Sequence, residues 1–376
     1  MYWPVLYFIY YAAMAALYPY LPVYYRQLGL GGEQIGILTA AVPLINLVSG
    51  PLWGWLADSR QRHKQVLIIS LVSVAIFGVL LALPRSFLGL LVVIVPLALF
   101  LSPIVPILDS SVLQSLGEHR DRYGRIRLWG AIGWGICAPL AGRLAEKVGL
   151  QGLFIVFGAL MGLSALLAAR QPVRSTLMRP LGAGALSLFW ADPRWRAFLF
   201  TAFSGGVVLS VISNFLFLFL QDLGASQSLL GFSLTVATVS EVSLLYVSSG
   251  LLKRWSPQWL MIAGLILFAV RALLYSFISQ PWMAMPIQLM HGLTYALMWV
   301  SGVSYAGMMA PPGLNATAQG LFSSAIMGVG MVVGSLLGGF LLAHVGAIWM
   351  FRITSGVGVL GALILWSTRN EHTKSI

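Results

Sequence analysis

Apolar residues run along this chain in blocks of about twenty, separated by polar breaks too short to hold a folded domain. The blocks fall at 3–25, 35–56, 66–84, 87–113, 125–146, 150–170, 196–220, 228–252, 258–279, 283–309, 316–343 and 346–367. None alternates strictly between apolar and polar, as a barrel strand would. Twenty residues at ~1.5 Å each are enough to cross a hydrocarbon core of about 30 Å. Lipid offers the backbone no hydrogen-bond partners, so a spanning segment of this length must be helical. The pattern predicts an all-α polytopic membrane protein of twelve transmembrane helices. The longest polar stretch, 171–195, divides them six and six. That predicts an N-terminal six-helix bundle over 1–170, a central linker over 171–195, and a C-terminal six-helix bundle over 196–376.

Composition agrees: 59% of the residues are apolar and 9% charged, far from the roughly 25% charged of a soluble chain. The net charge of +12 would suit nucleic acid, but its placement argues otherwise. With the N-terminus inside, sixteen of the 22 basic residues fall in one set of loops and four in the other. Arg271 and Arg352 are counted with the spans, whereas basic residues toward the ends of a block, such as Arg125, Arg127 and Arg143, are counted with the adjoining loop. This is the positive-inside bias of a multi-pass protein of the cytoplasmic or inner membrane, with both termini cytoplasmic. Basicity here reports topology, and no nucleic-acid partner is expected. Cys137 is the lone cysteine, which excludes an intramolecular disulfide, a cysteine metal cage and a redox pair. No glycine-rich stretch has the context of a phosphate loop, so no nucleotide-driven pump, metal or cofactor is expected. Gly330, Gly334 and Gly338 share one face of span 11 and suit close helix packing. Pro19, Pro22, Pro103, Pro106 and Pro139 are expected to kink their helices.

Charges inside the hydrocarbon zone are costly and mark function. In an antiparallel helix pair, residues equidistant from the turn lie at equal depth. Asp109 and Arg127 are each nine residues from position 118, and Glu241 and Arg271 are each fifteen from position 256. Arg271 and His291 are each ten from Pro281. The counting predicts an Asp109–Arg127 pair in the N-terminal half. In the C-terminal half it predicts a level shared by Glu241, Arg271 and His291, with Glu241 paired to Arg271, roughly 22 Å from the inner turn. Arg125, two residues before Arg127, points the other way and can snorkel to the surface. Trp134 lies two turns beyond Arg127 on the same face, where its ring can stack on a solute. Asn214, a polar amide in span 7, joins Asp109, Arg127 and Trp134 as a candidate substrate contact. Struts between helices are the alternative role for the charged pairs. Arg352, near the outer start of span 12, reads as a snorkelling residue.

Two six-helix halves around a central inner linker resemble the major facilitator transporters, whose binding site lies between the halves near the midplane. The loop "GPLWGWLADSRQRHK" resembles their gating signature: Gly54, Asp58, Arg62 and Lys64 match, while Gln61 stands where a glycine is usual and Ser59 where a basic residue is usual. Further, "YGRIRLWGAIGWG" with Asp109, "VSEVSLL" with Glu241, "FAVRALL" with Arg271 and "QLMHGLT" with His291 resemble the lactose-permease family of oligosaccharide–proton symporters. The resemblance implies that Asp109, Arg127 and Trp134 bind substrate, and that Glu241, Arg271 and His291 belong to the proton-coupling network. Two positions depart from it: Thr294 replaces the glutamate three residues after the histidine, and Gln288 a lysine three before it. In those departures the chain looks closer to phenylpropionate permease relatives and the nucleoside–proton symporters.

The expected function is therefore secondary transport, with a proton as coupling ion, of a small polar organic solute such as a sugar or nucleoside. An aromatic-acid permease, a facilitative uniporter and a solute or drug antiporter remain open; for the last, "GWGICAPLAG" supplies only Ala138–Pro139 where antiporters carry Gly-Pro. An integral-membrane enzyme would need an exposed acid or histidine cluster at the interface, and the acids here are buried. The lipid bilayer and the solute are the expected partners. A single chain of twelve helices can work alone, so a monomer is expected.

Overall fold

The computed structural model describes residues 2–119, 122–173 and 185–368. Helices dominate, and the described residues contain no strand. In chain order the long helices are α1 (Trp3–Gln27), α2 (Gly32–Ser59), α3 (His63–Leu80), α4 (Phe87–Leu116), α5 (Tyr123–Val148), α6 (Leu150–Ala169), α7 (Pro193–Asp222), α8 (Gln227–Arg254), α9 (Pro257–Tyr275), α10 (residues 284–309), α11 (Asn315–His344) and α12 (Gly346–Ser367). Among the described residues, ten of these are long and apolar enough to cross a membrane. The other two are α5, which carries Arg125, Arg127, Arg143, Glu146 and Lys147, and α10, which a π-helical turn at Gly292–Ala296 interrupts. Ten plus these two fits the count of twelve. Of the expected linker, residues 174–184 lie outside the described residues. A short helix, Ala185–Ala191, leads into α7, where Phe189 packs edge-on against Trp195 with centroids 4.7 Å apart. Asp192 caps α7, accepting from the Arg194 amide at 2.8 Å. Burial pushes the Asp192 carboxyl up, but the hydrogen bonds from Arg194 outweigh it and hold the group below its ordinary value.

The prolines act more selectively than expected. Pro19 sits in a 3₁₀ turn, Tyr18–Tyr20, and Pro103 in a break of α4; both interrupt the α-helix. Pro22 and Pro106 occupy the first turn of the segments that follow, where a missing N–H costs nothing. Pro139 stays inside a continuous α5. Its ring removes the donor that the Gly135 carbonyl would have used. Thr235 of α8 supplies one instead, its Oγ1 donating to Gly135 O at 2.7 Å. The orphan carbonyl thus becomes a tie between the two halves.

The expected glycine face of α11 packs on α7. A Cβ at Gly330 or Gly334 would lie 2.7 or 2.6 Å from the Phe203 or Val207 carbonyl oxygen, so only glycine permits the approach.

Among the described residues, the close contacts between the two halves run from one end toward the middle. Call the end that carries the 59–63 turn the linker face, and the opposite end the far face. Near the far face, Gly32 and Gly36 of α2 meet the α11 backbone around Ser335 and Gly339, and Gly142 of α5 meets Gln227 of α8. Polar contacts cross there too: Arg26–Asp222 at 2.6 Å, Glu146 with the Ser228 amide and hydroxyl at 2.8 and 2.6 Å, and Glu33–His344 at 3.7 Å. Toward the linker face the same helices diverge. A Cβ at Gly50 or Gly54 of α2, Gly124 of α5, Gly250 of α8 or Gly320 of α11 would meet nothing within 4 Å. The cavity between the halves is therefore closed at the far face and open at the linker face.

Candidate functional site

The face that α5 turns to the cavity follows from its contacts. Gly130 and Gly133 abut Tyr11 and Phe8 of α1, while Gly135 and Gly142 abut α8. At about 100° per residue, Arg127 and Trp134 point into the sector between those two neighbours. That sector opens on the space between the halves. Arg127 Nη1 lies 3.3 Å from Asp109 Oδ1, and the guanidinium stands over the Tyr11 ring at 5.7 Å. The Tyr7 hydroxyl donates to the same carboxylate oxygen. The pair stays partly open, with side-chain exposures of 43% for Arg127 and 28% for Asp109, so a solute can reach it. Trp134 is half-buried on the same face, and Arg125 is exposed.

The second cluster lies on α8, α9 and α10. Arg271 is only 2% exposed, yet each of its three guanidinium nitrogens has a partner. Its guanidinium donates to Gln288 Oε1 at 2.5 Å, to Thr294 Oγ1 at 3.2 Å and to the Tyr275 hydroxyl at 3.3 Å, and lies 3.0 Å from His291 Nδ1. Gln288 is fixed in turn by Tyr275 Oη at 3.1 Å and by its own amide donating to Ser233 at 3.2 Å. Glu241 meets His291 Nε2 at 3.6 Å, an ion-pair distance too long for a hydrogen bond. The expected Glu241–Arg271 pair is thus corrected: the histidine ring stands between them. Depth was predicted well, but the lateral order of three helices depends on packing, which counting does not contain.

This geometry fixes the histidine's state. Arginine can only donate, so Nδ1 must accept and the ring hydrogen sits on Nε2, facing the Glu241 carboxylate. A doubly protonated ring would set an N–H against the guanidinium. Tyr295 stacks on His291 with centroids 5.3 Å apart and carries the aromatic surface on toward Trp299. Tyr295 and Tyr11 each lie within electrostatic range of both Glu241 and Arg127, so the two clusters face a common space.

Sequence reasoning missed Tyr7, Tyr11, Tyr275, Tyr295 and Ser233. Tyr7 and Tyr11 lie one helical turn apart, which was the available signal. Gln288 and Thr294, the two departures from the lactose-permease pattern, are ligands of Arg271. Asn214 donates across to the Ser335 hydroxyl of α11 at 3.0 Å and within α7 to the Ser210 hydroxyl at 3.2 Å, and also lines a small pocket of about 30 Å³ with Tyr18 and Thr39. At the linker face Asp58 Oδ1 contacts His63 Nε2 at 2.8 Å; His63, which sequence reasoning passed over, is buried there. Gln61 takes the left-handed conformation (φ 51°) that the signature's usual glycine accommodates. Arg62 occupies the N-cap position of α3 without a side-chain capping bond, Lys64 lies in the first turn, and Gly54 is exposed. Arg352 stacks on Trp349 and Phe277 near the far face, at 5.0 and 5.5 Å from the ring centroids.

Against known proteins, the profile of the MFS_1 like family matches residues 2–353. The chain belongs to that family. It is thus a major facilitator transporter and not an enzyme. A maltose permease of Geobacillus stearothermophilus is 30% identical over 98% of this chain and 95% of its own length. The multidrug resistance protein MdtG of Salmonella typhi is 26% identical over 97% and 94%. Among solved structures, the nucleoside transporter NupG superimposes with a TM-score of 0.87 at 18% identity, covering 98% of both chains. That likeness establishes the major facilitator fold.

Proposed function

We propose that this facilitator is a proton-coupled symporter of a small polar solute, with a sugar favoured, working by alternating access between its two halves. The linker face is taken as cytoplasmic from the distribution of basic residues, which makes the structure inward-open. The partly exposed Asp109–Arg127 pair, with Tyr11 and Trp134, offers a donor set, an acceptor set and aromatic faces; that combination suits a hydroxylated ring with one apolar face. The similarity to a maltose permease supports a sugar in that place.

The single observation that carries the coupling is the order Glu241–His291–Arg271. With His291 held neutral by Arg271, Glu241 is the group left to accept a proton, and its 3.6 Å contact is loose enough to exchange with water entering from the linker face. Its negative charge balances the buried guanidinium across the ring. A proton loaded from the outside neutralises Glu241 while substrate occupies the cavity, and after inward opening the carboxyl releases it. Uptake into proteoliposomes, with and without an imposed proton gradient, tests the reading. Wild type should accumulate substrate only with the gradient, and Glu241→Gln should exchange substrate across the membrane without accumulating it. Accumulation by Glu241→Gln would move the carrier role elsewhere, with Asp109 next. Wild-type uptake indifferent to the gradient would make the protein a uniporter.

A further inference from the structure

A groove of about 600 Å³ runs between α5 and α8 on the side away from the substrate cavity. Its walls are mainly apolar, and Ile136, Leu140, Phe232 and Val239 are each at least half exposed. Helix geometry separates it from the transport path. Phe232 is nine residues from Glu241, about 180° around α8, and Arg143 is sixteen from Arg127, about 160° around α5. Between groove and cavity lies the tight α5–α8 contact, where Thr235 meets Gly135 and Gly231 meets Ala138. The groove therefore faces the bilayer.

It carries one charge. Arg143 lines it five residues from the far-face end of α5, exposed and without a hydrogen-bond partner among the described residues. Glu146, one turn further on, attracts it electrostatically, but that carboxylate is already taken by the Ser228 amide and hydroxyl. From Arg143 to Ile132 the groove follows eleven residues of helix, ~16 Å, close to the depth of one leaflet, about 15 Å. An unpaired guanidinium at headgroup level above an apolar trough one leaflet deep matches a phosphate diester and its acyl chain.

We propose that this groove binds one anionic phospholipid of the far-face leaflet, its phosphate on Arg143 and one acyl chain along Ile136, Leu140, Phe232 and Val239. Both walls exist only while α5 and α8 of opposite halves touch. Bound lipid thus holds the far face closed and favours the linker-open state. The site is independent of what the cavity transports.

Photoactivatable phosphatidylglycerol, with its reactive group on the acyl chain, tests this in nanodiscs of the full chain, with adducts mapped by peptide mass spectrometry. Labels should concentrate on residues 132–140 and 232–243. Arg143→Ala should reduce them at least fivefold, and Arg143→Lys should restore part of the loss. Val239→Trp fills the trough and should remove the labels with the cation intact, which keeps the test decisive where the alanine variant folds poorly. Photoactivatable phosphatidylcholine should label the groove at least fivefold less. Labels spread evenly over all bilayer-facing helices would overturn the site. Equal labelling in Arg143→Ala and wild type, or by both lipids, would overturn the anionic assignment.

Discussion

The two charged clusters within the helix bundles use the same residue types in opposite ways. In the N-terminal half an arginine meets its carboxylate directly, and both remain open to the cavity. In the C-terminal half the arginine is buried among neutral oxygens and a histidine, and the carboxylate stands beyond that ring. A direct, accessible pair offers its spare donors and acceptors to a ligand. A separated one leaves the acid free to change charge while the arginine stays fixed. Under the proposed function, that difference suits the first cluster to recognition and the second to coupling.

The strongest break of this contrast is Arg271→Met. It strips donors from Gln288, Thr294 and Tyr275 and leaves Glu241 without its balancing cation, a loss of about 3–5 kcal/mol. The variant should melt well below wild type in detergent; an unchanged melting temperature would mean the cation does not hold α9 and α10 together. Arg127→Ala should act on binding instead. Its side chain is 43% exposed, so the fold should survive, while substrate affinity falls by about 2 kcal/mol or more, roughly thirtyfold. Calorimetric titration would show it, and unaltered affinity would make the N-terminal pair a strut.

Gln288→Glu sharpens the contrast by giving Arg271 a carboxylate of its own, remaking the second cluster in the image of the first. Glu241 then no longer serves as sole counter-charge, and proton-driven accumulation should drop on the order of tenfold while counterflow persists. Equal losses in accumulation and counterflow would point to a general packing defect. The smallest effect belongs to Trp134→Ala, where the loss of a ring stacked on the solute should weaken binding by about 0.5–1 kcal/mol, a factor of two to five. No change in affinity would remove Trp134 from the site.

Much of this was legible in the sequence because helix depth is a matter of counting. Rise per residue is fixed by the backbone hydrogen bonds, so equal distances from a turn mean equal depth. That is why Asp109 and Arg127, and likewise Arg271 and His291, stand level and meet. The length of the apolar blocks supplied an expected number of spans that the helices fit, since lipid tolerates no shorter alternative, and loop charge supplied the expected orientation. Rotation and lateral order are another matter. They depend on where glycines let helices close up, as at Gly130, Gly133 and Gly142, and those approaches join residues far apart in the chain. Only the tertiary structure put His291 between Glu241 and Arg271, turned Gln288 and Thr294 into ligands, gave the Gly135 carbonyl its partner in Thr235, and closed one face while leaving the other open. Each of these is a choice among neighbours at equal depth, and a one-dimensional pattern of polar and apolar positions carries no information about which neighbour packing will select.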